Sequence, residues 1–528
     1  MDYTKRAALL CCTCYLVLLA ISFIPPQTAF GLELRRANVL SNIVSFSEDN
    51  LAENVELVID TEEYEVDFEA VEQALEAVNN QKESADQSVT WSSETIDSLY
   101  IDVAEEAEAE AEKIAEKPFT PVRLLEGIEI VAIENFDTVE LTSLSRFYRK
   151  MLSPDSLVRI AVLGDSFIEA DILTADLREA LQSQYGGCGA GFAPMHSPLT
   201  QYRKTVSTNA KGWTSHNVMQ HKSTPAPYNT LFPISGWVSL PSAGASTTWE
   251  ASSARKHLDS CKCVKLHFLA RNSCSVEVAI NSSESRTFDF DASEALRQIE
   301  LHGQNIRSVT MRVVKGHEGF VGYGAHFEGD RGVVVDNYSV RSNNGQAMFW
   351  TSAAINAQID KNLGGYDLVI LQYGLNIMQS GVNRYTSYSE QVEKMISYSK
   401  KCFPNAAVIV LGVSDRSTKK NGAYEPMSEA QSMTEYQRQA AENQGANFWN
   451  TYAAMQAQGG MSRFVVNGWA AKDYTHINFA GGKQVAWALV DAMNQGVVAE
   501  REKMVVKIEY EPIIDSLQSE IFQQKLSF

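Results

Sequence analysis

Four short stretches of this sequence carry residue types that together can perform acyl transfer. Gly164-Asp165-Ser166 places a hydroxyl directly after the apolar run Ile160-Ala-Val-Leu163, and Asp473-Tyr-Thr-His476 sets a carboxylate three residues before an imidazole. Gly374-Leu375-Asn376 offers a side-chain amide after a second apolar run, and Arg341-Ser342-Asn343-Asn344-Gly345 forms a turn after a third. A serine hydroxyl is a poor nucleophile until a base takes its proton. Residues i and i+3 of a turn share one side, so Asp473 can accept the Nδ1 proton of His476 and aim Nε2 at Ser166. The attacked carbonyl gains negative charge, which fixed donors must meet, each contributing about 3 kcal/mol. The Asn376 amide, the backbone N–H of Ser166 and an N–H of the second turn fit that role, with Gly374 counted beside Asn376. Asp165 reads first as a cap for the helix that follows, His196 as structural, and Asp415-Arg416 as an internal ion pair.

These residues need a rigid frame. The runs Leu157–Leu163, Gly332–Val340, Asp367–Tyr373, Ala407–Leu411 and Ala446–Trp449 read as buried strands. Between them lie amphipathic helices, one carrying Leu173, Leu177, Ala180 and Leu181 on a single face and another carrying Val485, Leu489 and Met493. Apolar strands alternating with such helices predict an α/β domain with a parallel sheet covered on both faces. All four stretches then sit just beyond strand ends or close to the C-terminus, and the carboxyl edge of such a sheet is where ligands bind. From about residue 200 to 330 the period changes to two, as in Val276, Val278, Ile280 and Val309, Met311, Val313. That pattern predicts an antiparallel β-sandwich inserted into the α/β domain.

In order and at strand ends, the four blocks resemble those of the SGNH (GDSL-type) hydrolase family: Gly-Asp-Ser, a glycine after strand two, Gly-x-Asn after strand three, and Asp-x-x-His near the end. The resemblance implies a flavodoxin-like three-layer α/β/α fold and a serine esterase with Ser166, His476 and Asp473 as triad. It also implies an oxyanion hole drawn from Ser166, Ser342, Gly374 and Asn376. This chain departs from the pattern at one place: the register puts Ser342 where the family has glycine, with Gly345 three residues on, so either could supply the middle donor. An alternating-strand insert between the first two blocks looks like the arrangement in peptidoglycan O-acetylesterases. That likeness implies an acetylated polysaccharide or peptidoglycan as partner and removal of O-acetyl groups as the reaction. A polysaccharide O-acetyltransferase using the same triad, or a non-catalytic glycan-binding envelope protein, are the alternatives. No metal, nucleotide or flavin cofactor is implied. Tyr202, Trp213, Tyr228, Trp237, Trp249 and Tyr323 are candidates to stack on sugar rings, although sandwiches bury most such aromatics.

The 528 residues are too many for one ordinary domain. A net charge of −20 argues against nucleic acid and anionic membrane surfaces. Outside the N-terminal apolar run, which holds Cys11, Cys12 and Cys14, no Cys-x-x-Cys pair and no His/Cys cluster with zinc spacing is present; Cys274 could pair with Cys261 or Cys263 in an oxidising compartment, or all could be buried thiols. Residues 1–31 have a positive start, an apolar run from Ala7 to Ile24, and Ala29-Phe30-Gly31, the pattern of an export signal or a retained membrane anchor. The expected location is thus exported, periplasmic or cell-envelope. Residues 32–118, with the Ala/Glu tract Ala104–Lys113, read as an acidic solvated spacer. Residues 119–200 and 331–497 read as two parts of the α/β domain, 201–330 as the insert, and 498–528 as a tail without a clear role.

Overall fold

The five apolar runs become strands because both of their faces can be covered. They are β1 (Leu157–Gly164), β2 (Gly332–Ser339), β3 (Leu368–Gln372), β4 (Ala407–Leu411) and β5 (Asn447–Trp449). The computed structural model describes residues 119–526 except 140, 154 and 421, together with 27–29, 32–34, 56–57, 65–80 and 87–92. In it the strands form one sheet in the order β2-β1-β3-β4-β5, all parallel, with Glu134–Asn135 antiparallel on the far edge. Alternate residues of a strand face opposite ways. Ile160, Val162, Ile370 and Ile409 pack with Phe147, Leu177, Leu489 and Met493, whereas Leu163, Leu371 and Val410 pack with Ile359, Met395, Ile396 and Met433. The first set of partners lies on α1 (Ser143–Leu152), α2 (Thr174–Tyr185) and α6 (Phe479–Leu526). The second lies on α3 (Ala353–Leu363), α4 (Thr386–Cys402) and α5 (Ser428–Asn443). This is a three-layer α/β/α arrangement with flavodoxin-like strand order, and the order reverses between β1 and β3.

The alternating segments form a second sheet of ten strands, all joined by hydrogen bonds. Val276, Val278, Val309, Met311 and Val313 point into its own core with Trp249, Leu266 and Phe268. The insert begins earlier than position 201, at Gly191–Pro194, which pairs antiparallel with its last strand, Phe320–Glu328. The two ends of the insert therefore meet, as an inserted unit requires. All nine residues of Phe320–Glu328 are buried: Phe320, Ala325 and Phe327 face the ten-stranded sheet's core, while Val321 and Tyr323 face the α/β core. At the entry, Gly191 has φ +66, and a Cβ there would lie 2.2 Å from the Val335 carbonyl oxygen. Gly191→Ala is expected to lower folding stability by about 3–5 kcal/mol through strain and overlap, seen as a lower denaturant midpoint with an unchanged m-value. Of the six aromatics, Trp249 and Tyr323 are core residues, Trp213, Tyr228 and Trp237 are half-buried, and Tyr202 is 63% exposed.

The structure corrects the expectations for both flanks. Part of the spacer is folded: Phe68–Asn80 is a helix and Ser88–Ser92 a strand. Phe68, Val71, Leu75 and Val78 recur at helical spacing and pack toward the α/β core, a stripe hidden among the surrounding acids. Ser88–Ser92 pairs in parallel with Ser293–Ile306 of the insert. The tail is not separate either, because α6 runs unbroken for 48 residues from Phe479 to Leu526. Gln27–Ala29 and Leu32–Leu34 pair as a short hairpin in a unit of their own. The apolar run 7–24 and the Ala/Glu tract lie outside the described residues. No described helix is long and apolar enough to cross a membrane. The five described cysteines are free; Cys274 stands opposite Phe290, in a strand not adjacent to that of Cys261 and Cys263.

Candidate active site

The site is assembled where the sheet order reverses. Gly164 ends β1 against β3, where a Cβ would lie 3.0 Å from the Gln372 carbonyl oxygen and 2.8 Å from Ile168 Cδ1. The chain then turns sharply and leaves Ser166 half-buried at the sheet's carboxyl edge. Asp165 is fully buried beneath it. One carboxylate oxygen accepts the Phe167 N–H at 2.8 Å, a bond inside the turn rather than the expected cap of the following helix, whose N-cap position is held by Leu173 without a side-chain bond. The other accepts Asn376 Nδ2, also at 2.8 Å, so Asp165 joins the ends of β1 and β3 as well.

Asp473 and His476 form the second half. His476 Nδ1 lies 2.8 Å from Asp473 Oδ2. The other carboxylate oxygen accepts the backbone N–H groups of Thr475 and His476, each at 3.0 Å. Burial pushes the Asp473 carboxyl up, but the hydrogen bonds from the His476 ring and these two amides outweigh it and hold it below the usual range. The turn that carries the pair needs Tyr474 at φ 56. Tyr474 stacks on Tyr424 with ring centroids 3.5 Å apart, and its carbonyl accepts the Ser417 N–H at 3.1 Å. Both partners belong to a hairpin, Ser417–Lys420 with Ala423–Pro426, which the sequence reading missed. The Asn421-Gly422 pair between its strands is the local signal for it. Ile477 belongs to the apolar cluster that also holds Phe167, Ile168 and Leu375, and the His476 charge acts on the buried carboxyl of Asp165, the neighbour of Ser166.

In the second turn, the two candidate donors differ in what their N–H groups meet. The Gly345 N–H is taken by Asn343 Oδ1 at 2.8 Å. Ser342 has φ 61, a left-handed conformation that explains why glycine is favoured at such a place. Among the described residues, neither the Ser342 N–H nor the Ser166 N–H has a protein acceptor. Asn376 Nδ2 carries two hydrogens, and both have acceptors: Asp165 Oδ2 and the Asn343 carbonyl at 2.9 Å. Gly374 has φ 120, with Gln437 and Val413 so close that a Cβ would overlap them, and its carbonyl accepts the Ile377 and Met378 N–H groups. Gly374 thus shapes the turn that presents Asn376.

A side-chain pair that the sequence reading did not foresee flanks this edge. Glu169, buried in the turn after Ser166, pairs with Arg341, whose Nε lies 3.0 Å from both carboxylate oxygens. Arg341 adjoins Ser342, and its side chain is 64% exposed. Asp415 does not pair with Arg416: its carboxylate accepts the Met461 N–H at 2.5 Å and the Arg416 backbone amide. His196 is held by Ser215 Oγ at 2.8 Å, a structural position as expected.

Burial pushes the Asp165 carboxyl up to about 7, against the opposing pull of the Phe167 amide, the nearby His476 charge and Asn376. Glu169 adds to the rise. Between about pH 4, where an unfolded Asp loses its proton, and pH 7, the folded chain keeps this proton and the unfolded chain does not. Stability from this group is therefore full below pH 4 and falls as pH rises toward 7. Urea unfolding across pH 4 to 8 is expected to show that decline, and Asp165→Asn is expected to remove it.

No family model matches the chain, and no curated protein matches it. Among solved structures, a peptidoglycan O-acetylesterase superposes with a TM-score of 0.56 at 20% identity, over 70% of this chain and 99% of that one. The likeness is one of fold. A Bacillus subtilis protein (12% identity, 55% of this chain and 90% of that one, TM-score 0.27) and an acetyl xylan esterase (14%, 30% and 81%, TM-score 0.23) superpose too loosely to carry an argument.

Proposed function

We propose that this chain is an exported serine esterase of the SGNH (GDSL) type that removes O-acetyl groups from a cell-envelope polysaccharide resembling peptidoglycan. The observation that carries the reading is the 2.8 Å Asp473–His476 pair drawn to the strand end that presents Ser166, in a fold shared with a peptidoglycan O-acetylesterase. His476 Nε2 takes the Ser166 proton as Oγ bonds to the acetyl carbon, and Asp473 holds Nδ1–H and the growing imidazolium charge. The carbonyl oxygen becomes an oxyanion facing the Ser166 and Ser342 N–H groups. Asn376 joins them by exchanging its bond to the Asn343 carbonyl for one to the oxyanion, while Asp165 keeps the other hydrogen in place. The tetrahedral species collapses, the sugar oxygen leaves with the proton from His476, and the acetyl group stays on Ser166. Water, deprotonated by His476, then attacks the acetyl-enzyme and releases acetate. The ten-stranded sheet is the proposed carbohydrate-binding, sandwich-like insert, with exposed Tyr202 as a stacking residue. Residues 1–31 are the proposed export signal or anchor.

The test is incubation of the purified protein with O-acetylated and base-deacetylated peptidoglycan, measuring acetate and acetylated acceptor sugars. Acetate from the acetylated polymer alone is the expected result. Acetyl-sugar in excess of acetate would favour the transferase, and no release with any acetylated glycan would reject the reading.

A further inference from the structure

A second constellation lies in the ten-stranded sheet, outside the site described. Cys263 on strand Cys261–Ala270 stands directly opposite His302 on strand Ser293–Ile306. Glu300 is two residues before His302, so both side chains leave the same face of the strand. Cys263 Sγ lies 3.7 Å from Glu300 Oε1, and His302 Nε2 lies 3.0 Å from that same oxygen. One ligand atom from each of the three lies within 4.8 Å of the other two. Such separations suit donors that share one ion at about 2.0–2.3 Å.

We infer that Cys263, Glu300 and His302 bind a divalent metal ion of the zinc class. The donor set is sulfur, nitrogen and oxygen, which zinc accepts and which magnesium and calcium do not prefer. A thiolate and a carboxylate neutralise the ion's two charges, and a neutral imidazole completes the trio. Cys263 closes one side, since it is buried, while Glu300 and His302 are half-buried and leave the fourth position open to water. The surroundings support the ligands. Gln298 Nε2 donates to the second Glu300 oxygen at 3.3 Å and orients the carboxylate. The nearby cation, Lys265, pairs with Glu328 at 3.4 Å. Binding replaces the S–H bond of Cys263 by an S–metal bond and sends that proton to solvent. Ser92 of the N-terminal strand stands level with His302 on the other side. The ion would therefore fix the sheet where that strand joins it.

The test uses the full chain, stripped of metal with a chelator and titrated with Co²⁺ and then Zn²⁺. Expected is one tightly bound Co²⁺ with a sulfur-to-cobalt charge-transfer band in the near ultraviolet, displaced by one equivalent of Zn²⁺. Cys263→Ser should abolish the band. His302→Ala and Glu300→Gln, at half-exposed positions that leave the core intact, should each weaken binding at least about tenfold. A band that persists in Cys263→Ser, Co²⁺ bound without a sulfur band, or unchanged affinity in His302→Ala would each overturn the assignment.

Discussion

Ser166→Ala is expected to lower the rate of aryl acetate hydrolysis by about 10⁴- to 10⁶-fold, the scale set by removing the nucleophile of a triad. Fold should be intact, because the half-buried hydroxyl carries no hydrogen bond that holds the turn. The turn is set instead by Asp165 and the Phe167 amide. What survives should be the modest rate enhancement from binding and the oxyanion donors. A fluorophosphonate probe should label the wild-type chain on Ser166 and leave the variant unlabelled. Near-normal turnover in Ser166→Ala would end the esterase reading.

His476→Ala should come close to the same loss, since the serine then has no base. Asp473→Asn should cost less, about 10²- to 10³-fold, short of the roughly 10⁴-fold typical of a buried triad acid. The reason is exposure: the Asp473 side chain is 49% accessible and that of His476 58%, so water can replace part of the lost acceptor at Nδ1. Part of the loss should be geometric, because Asp473 Oδ1 also accepts the Thr475 and His476 amides that shape the turn. Steady-state kinetics of the three variants on one acetate ester would separate these contributions. An Asp473→Asn loss as large as that of His476→Ala would mean that substrate closes the site to water.

The α/β frame was legible in the sequence because a parallel strand buried on both sides leaves an unbroken apolar run. The observed Ala407–Leu411 has the expected limits, and Leu157–Gly164 differs by one residue. Short strands of the insert were legible where one face was wet, as in Arg286–Phe290, where Phe288 and Phe290 are buried and Asp289 is exposed. What escaped had its pattern masked or depended on partners remote in sequence. The stripe on Phe68–Asn80 lies beside Glu69, Glu72 and Glu76 in a stretch rich in acids. The partner of Glu169 is 172 residues away, and local pattern carries no trace of such a pairing. Asn376 was read as an oxyanion donor, but its two acceptors, Asp165 and the Asn343 carbonyl, became visible only once β1, β2 and β3 were side by side. The same holds for Ser342: its type departs from the expected glycine, yet its backbone adopts the conformation a glycine would supply.

Phe320–Glu328 serves as a party wall: one side belongs to one hydrophobic interior and the other side to its neighbour. Neither room stands without it. A calorimetric scan should therefore record a single melting peak for both, and excising the β-rich cassette should strip Val321 and Tyr323 from the α/β half and leave it prone to aggregate rather than trimmed to a smaller stable domain.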